Sequence, residues 1–148
     1  MKKILVLLFS LFFLSSSSVF AQEDLSKINV NSLSPLSSNQ IINTYSNASS
    51  WGYYSKDISG IDDYQYVIYT YASGDFDIST SFSKVSGKWK VYDNQICFKA
   101  TKVPDGMFPE KMFTCASVYT DFNEGEHYLY MPGVGVYAKN TAVTPLID

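Results

Sequence analysis

His127 is the only histidine in the chain, so any imidazole chemistry, whether general base, proton shuttle or metal ligand, has to use it. It stands in Glu126-His127-Tyr128-Leu129, with neither the glycine-flanked serine of a nucleophile elbow nor a second ligand at metal-binding spacing. It reads as a satisfied or solvent-facing histidine. Asp121-Phe122-Asn123-Glu124-Gly125-Glu126 gathers oxygens that would suit calcium. A calcium loop starting at Asp121 requires glycine sixth and glutamate twelfth, where Glu126 and Pro132 stand, so the cluster reads as a polar turn. Asp62-Asp63 and Asp75 with Asp77 have the composition of carboxylate pairs for acid-base work at a sugar. Aspartates beside Gly and Ser at strand ends are ordinary turn residues, so no catalytic residue, metal ligand or cofactor is assigned.

Cys97 and Cys115 occupy two strand-like segments, 95–102 and 110–119, on either side of Pro104-Asp105-Gly106. Pairing them directly opposite sets Lys102 against Glu110, Ala100 against Met112 and Ile96 against Ala116, matching charge with charge and apolar with apolar. Opposite residues of an antiparallel pair lie about 4.5 to 5.5 Å apart at Cα, within reach of a disulfide. A structural disulfide is expected, since the spacing is that of neither a reactive dithiol nor a zinc knuckle.

Oxidation presupposes an address, and the start of the chain supplies one. Lys2 and Lys3 precede an apolar run from Ile4 to Phe13, a serine tract follows, and Val19-Phe20-Ala21 offers a small-residue cleavage site. Residues 1–21 read as a signal peptide, which places the mature protein in the periplasm or outside the cell. Nothing later is long and apolar enough for a membrane span. After cleavage nine lysines face fourteen acids, and there is no arginine. The acidic balance argues against nucleic acid as a partner, and the missing guanidinium makes anionic small molecules poorer candidates.

The remaining functional candidates are aromatic. Twelve tyrosines enrich the chain, and tyrosine and tryptophan supply wide, rigid contact area with a polar tip. Trp51, Tyr53 and Tyr54 fall in a Gly-containing stretch outside any clear strand and are candidate binding residues. Ser73 and Gly74, at a hairpin tip, join them.

The elements that position these residues are mostly strands. Residues 22–37, rich in Ser and Asn, read as a flexible N-terminal arm. Ser38 before Asn39, Gln40, Ile41, Ile42 and Tyr45 reads as the cap of one short helix ending near Asn47. Tyr64 to Tyr71, Phe76 to Phe82, the Trp89 and Val91 alternation, the two cysteine segments, Glu126 to Met131 and Val134 to Lys139 read as strands. Ala72-Ser73-Gly74-Asp75, Ser86-Gly87, Asp93-Asn94 and Pro132-Gly133 read as their short connectors. Short connectors imply an antiparallel meander. The expected fold is one mostly β domain over 38–148, a bent antiparallel meander or partly open barrel of six or seven strands with one short N-terminal helix.

Gly87-Lys88-Trp89-Lys90-Val91, Asp93-Asn94-Gln95-Ile96-Cys97-Phe98 and Cys115 resemble a layout of small secreted bacterial proteins carrying a domain of unknown function. In those proteins a G-x-W-x-V strand, a turn, a cysteine strand and a second cysteine follow a leading helix, and the likeness spans Leu36 to Tyr130. The G-x-W triplet is also similar to that of lipocalins, where it lies on the first strand of an eight-stranded barrel. Fifty-nine residues after Trp89 are too few for seven more strands. A third likeness is to periplasmic lysozyme inhibitors, which insert a Ser-Gly loop into the enzyme cleft; Ser73-Gly74 would be that loop, without the longer flanking motif. The expectation is a secreted or periplasmic non-catalytic domain that binds an envelope protein or glycan. An inhibitor of a secreted enzyme and a small hydrolase are its alternatives.

Overall fold

The computed structural model describes residues 23–55, 64–102 and 114–147. The expected signal peptide, Asp62-Asp63, Glu110 and Met112 lie outside them. A two-residue strand β1 (Ser34–Pro35) and a helix α1 (Ser38–Tyr45) lead into β2 (Ala48–Tyr54), β3 (Gln65–Thr70), β4 (Asp75–Thr80) and β5 (Lys84–Tyr92). There follow β6 (Gln95–Lys102), β7 (Thr114–Asp121), β8 (Glu126–Met131) and β9 (Gly135–Pro145). From β2 onward every strand pairs antiparallel with the next, and β9 returns to β2, so eight strands close into a barrel. β1 adds to β7, pairing Ser34 with Thr120 and Pro35 with Tyr119.

The mostly β meander and its single helix are as the sequence reading has them, but the barrel is closed, not partly open. The closing strand is β2, which carries Trp51, Tyr53 and Tyr54 and had read as a stretch outside any strand. Its inward row runs Ala48, Ser50 and Gly52 before Tyr54, its first three members too small and polar to announce a strand, and Gly52 small because β9 crowds it. A Cβ on Gly52 would lie 2.1 Å from the Lys139 carbonyl oxygen of β9. Gly87 repeats the lesson on β5. Instead of marking a turn with Ser86, it sits within the strand at a register shift against β6. There the Phe76 ring and the Lys99 carbonyl leave no room for a side chain. Strands on both sides of Trp89 build the barrel, three of the eight preceding β5.

Alternation then fills the interior. Tyr66, Ile68, Phe76, Val85, Trp89, Ile96, Val118 and Leu129 form one buried cluster. Trp89 is 8% exposed and donates its indole N–H to the Tyr71 carbonyl at 2.9 Å. α1 enters one end of the barrel and buries Ile41 and Tyr45 in the same cluster. Its N-cap is Ser37, one residue before the expected Ser38, because Gln40 completes a capping box with Ser37. Ser38 instead donates its backbone N–H to the Asn94 side chain at 2.8 Å, fastening the helix to the β5–β6 turn. That turn puts both Asp93 and Asn94 at positive φ, 50° and 56°, a conformation tight hairpins need and Asn and Asp tolerate.

The arm expected to be flexible is packed along the outer wall. Leu25, only 2% exposed, joins Tyr53, Tyr128 and Val136 in a second apolar cluster, with Ile28, Val30 and Leu33 against it. The arm therefore belongs to the same body as the barrel.

Candidate functional site

Inside the barrel, near α1, one polar chain crosses the core. Tyr66 donates to the Asn140 side-chain oxygen at 2.5 Å, and the Asn140 amide donates to the Tyr45 hydroxyl at 2.8 Å. The Tyr45 hydroxyl lies 3.0 Å from His127 Nδ1. Asn140 donates to the Tyr45 hydroxyl, and the proton of that hydroxyl has an acceptor in Nδ1 when the imidazole is the neutral tautomer protonated at Nε2. Burial pushes the Tyr45 and Tyr66 phenols well up and the His127 imidazole down. The lone histidine is thus half-buried and hydrogen-bonded to a phenol held neutral, an arrangement that cross-braces β3, β8, β9 and α1. Sequence reasoning had no way to supply Tyr45 and Asn140 as its partners, 82 positions away in one case. Ser50 Oγ is the one buried side-chain polar atom without a partner among the described residues.

The five candidate binding residues do not converge. β2 alternation turns Trp51 outward, 45% exposed, between Val67 of β3 and Ala142 of β9. Tyr53 also faces outward but lies under the N-terminal arm, 8% exposed. Tyr54 points into the barrel against Tyr66, ring centroids 4.5 Å apart. Ser73 and Gly74 cap the β3–β4 turn at the helix end of the barrel. There the Ser73 hydroxyl donates to Asp75 at 2.7 Å, and the Gly74 carbonyl accepts from the Trp89 backbone N–H at 2.9 Å. Tyr54 instead begins a stack that sequence reading missed. Tyr64 lies 5.8 Å from Tyr54 on one side and 5.8 Å from Phe82 on the other, nearly parallel to Phe82 at 12°. Phe82, on the β4–β5 turn at the mouth opposite α1, is 70% exposed. The Tyr64 hydroxyl is 3.3 Å from Thr80 Oγ1, which also accepts from the backbone N–H groups of Phe82 and Ser83. A ring ladder therefore runs from the core to solvent with its outer member held on a hydrogen-bonded turn.

On the outer wall, Lys139 lies between Glu23 of the arm and Glu126 of β8, 2.6 Å from each. Its ammonium also sits 5.1 Å from the Tyr128 ring centroid. Burial opposes the charge of Lys139, but the two carboxylates outweigh it and hold the ammonium protonated far above its usual range. Burial pushes the Tyr128 phenol up to about 12. This clasp ties the arm down and presents no open face. Beside α1, an open groove of about 520 Å³ is lined by Leu36, Gln40, Asn94 and Tyr119 among others, and its amides are already spent on the helix cap. Among the described residues no group of three metal-ligating side chains comes together.

The charge is segregated, which the acidic total conceals. β5 and β6 hold five lysines and no acid, and Asp75 of β4 pairs with Lys88.

Set against known proteins, the chain matches no family model, no curated protein and no solved structure.

Proposed function

We propose that the protein is a secreted or periplasmic, non-catalytic binding domain that engages an envelope protein or glycan with the ring stack at its barrel mouth. The observation that carries this reading is Phe82, a large apolar ring 70% exposed and stacked on Tyr64 above Tyr54. Anchoring an exposed ring on half-buried ones lowers the ordering cost that a partner would otherwise meet, and rings so placed dominate contact energetics. Hydroxyls of Tyr64 and Thr80 beside the ring face suit a sugar or a peptide group. The Cys97–Cys115 disulfide fits an oxidising compartment, and no helix among the described residues is long and apolar enough to cross a membrane.

Affinity capture from envelope and cell-wall extracts, with immobilised wild-type protein beside Phe82→Ser and Trp51→Ala, tests the reading. A component retained by wild type and by Trp51→Ala but lost from Phe82→Ser is the expected result. Retention unchanged in Phe82→Ser and abolished in Trp51→Ala would move the site to the outer face of β2. Turnover of an extract component that vanishes in His127→Gln would replace the binding domain with a hydrolase.

A further inference from the structure

The outer wall across β2, β3 and β4 carries aromatic rings that neither apolar cluster takes up. Trp51 of β2 and Tyr69 of β3 turn outward with Tyr71, the residue after β3, because Ser50, Ile68 and Thr70 occupy the buried positions between them. Trp51 is 45% exposed, and Tyr69 and Tyr71 are half-buried. Register sets Trp51 opposite Val67 and Ala142, and Tyr69 opposite Ser49 and Asp77, while the Tyr71 backbone N–H donates to the Asp75 carbonyl at 2.9 Å. Each of these neighbours lies among the described residues. From the level of Val67 to Tyr71 the row runs four strand residues, about 13 Å. At its β2 end the register against β9 shifts, Thr141 is the extra residue, and its hydroxyl donates to the Trp51 carbonyl at 3.2 Å. A bulge of this kind re-aims the side chain beside it. At the other end the Tyr71 hydroxyl donates to Asp77 Oδ2 at 3.3 Å, which lays the ring toward β4, and the Ser86 hydroxyl donates to Asp77 Oδ1 at 2.5 Å.

A tryptophan left nearly half exposed on a barrel wall adds little to stability, and contiguous exposed rings mark contact surfaces. We propose that the row is a platform for a neutral, flat glycan, a β-1,4-linked chain of glucose or N-acetylglucosamine type, whose sugar faces rest on Trp51, Tyr69 and Tyr71. Equatorial substituents leave axial C–H groups on both faces of each such sugar, and these suit the electron-rich faces of the rings. The edges of the chain present hydroxyls, which meet Ser49 and Asp77 on either side of the central ring. Both Asp77 oxygens already hold one donor each, so the carboxylate is fixed in place with lone pairs to spare. No cation stands directly across from any of the three rings, and the ammonium of Lys88 is already paired with Asp75, which disfavours an anionic chain. Protein interfaces centre on a fully buried apolar core, whereas here polar groups flank the middle of the row. The proposal goes beyond the mouth stack by giving a second surface its own ligand, and neither depends on the other.

The test is isothermal titration calorimetry with cellohexaose and chitohexaose, beside acrylamide quenching of tryptophan emission, for wild type, Trp51→Ala, Tyr69→Ala and Phe82→Ser. Trp51 is the accessible one of the two tryptophans, so a sugar stacked on it shields the wild-type emission from acrylamide. The expected result is saturable, salt-insensitive binding with that shielding, weakened at least about tenfold in Trp51→Ala and in Tyr69→Ala, equivalent to about 1.4 kcal/mol, and unchanged in Phe82→Ser. Either sugar satisfies the proposal, and the one that binds shows whether an acetamido group is required. Circular dichroism and thermal melts establish that each variant is folded, and the two platform variants stand in for one another should either fail. Binding of neither sugar overturns the proposal, as does wild-type affinity in both folded platform variants. Equal binding of maltohexaose, a coiled α-linked chain, overturns the flat-chain class. Loss in Phe82→Ser with both platform variants intact removes the platform and moves the sugar to the barrel mouth. Capture of an extract protein that Trp51→Ala fails to hold, with neither sugar bound, replaces the glycan with a protein partner.

Discussion

Cys97 and Cys115 are direct partners across β6 and β7, Cα atoms 4.0 Å apart, joined by a disulfide on the outer face of the wall. The ladder around them pairs Ile96 with Ala116, as the apolar matching of the sequence requires. Closing a loop of this size restricts the unfolded chain by roughly 3 kcal/mol in the chain-entropy model. The double variant Cys97→Ala/Cys115→Ala is therefore expected to lose about that free energy of unfolding in urea, with a slope equal to or steeper than the wild type's because its unfolded chain is less compact. An identical midpoint would show that strand pairing alone holds this part of the barrel.

The two tryptophans make a matched pair. Trp89→Ala removes a ring that is 8% exposed inside the barrel and orphans the Tyr71 carbonyl it binds, so a loss of about 3 to 5 kcal/mol is expected. Trp51→Ala, on the outer face at 45% exposure, should change stability by only about 0.5 kcal/mol. Chemical denaturation of both variants decides the matter; a cooperative, near-wild-type transition in Trp89→Ala would contradict its place in the core.

Gly52→Ala tests closure itself. The added methyl would meet backbone, the Lys139 carbonyl oxygen at 2.1 Å, and backbone cannot swing aside as a flexible side chain can. β2 and β9 would have to separate, so the variant is expected to lose its cooperative transition or be recovered unfolded. Gly133→Ala is the counterpart, with open space around it and a cost confined to its φ of +82°, roughly 1 to 2 kcal/mol. Comparable melts for the two would show that β2 and β9 are not in tight contact.

Gly52 also shows why the sequence yielded a meander but not its closure. Strands whose inward row is large, such as Phe76 and Ile78 or Trp89 and Val91, write their alternation in the residue types and were legible. β2 faces inward with Ala48, Ser50 and Gly52 before Tyr54, and at Gly52 close approach of β9 and not hydrophobicity sets the residue, so period-two reading passed over it. Missing it left the barrel open by one strand and put Tyr54 at large when it belongs to the core. The gathering of five lysines on β5 and β6 was hidden for a different reason, because net charge sums over the surface whereas register decides which charges become neighbours. Phe82 ended a predicted strand but sits on a turn, where Thr80 Oγ1 gathers the backbone N–H groups of Phe82 and Ser83 and ends the ladder.

His127 sets the acid limb of stability. Its Nδ1 lies 3.0 Å from the Tyr45 hydroxyl, and burial holds its folded pKa below the ordinary 6.5. Between the folded value and 6.5 the unfolded chain binds more protons than the folded one, so stability rises with pH through that window. The contribution is complete above about 6.5 and is lost as pH falls through the folded value, because burial disfavours the charged imidazolium. Glu126 behaves likewise but in a lower window: burial works to raise its pKa, the ion pair with Lys139 outweighs it, and the net value lies below the ordinary 4.5. Urea midpoints measured from about pH 7 down to about pH 3 should therefore fall in two steps for the wild type. His127→Gln should remove the upper step and keep the lower one. A wild-type profile flat between about pH 7 and pH 5, or an upper step that survives in His127→Gln, would mean that the imidazole is not held neutral by burial.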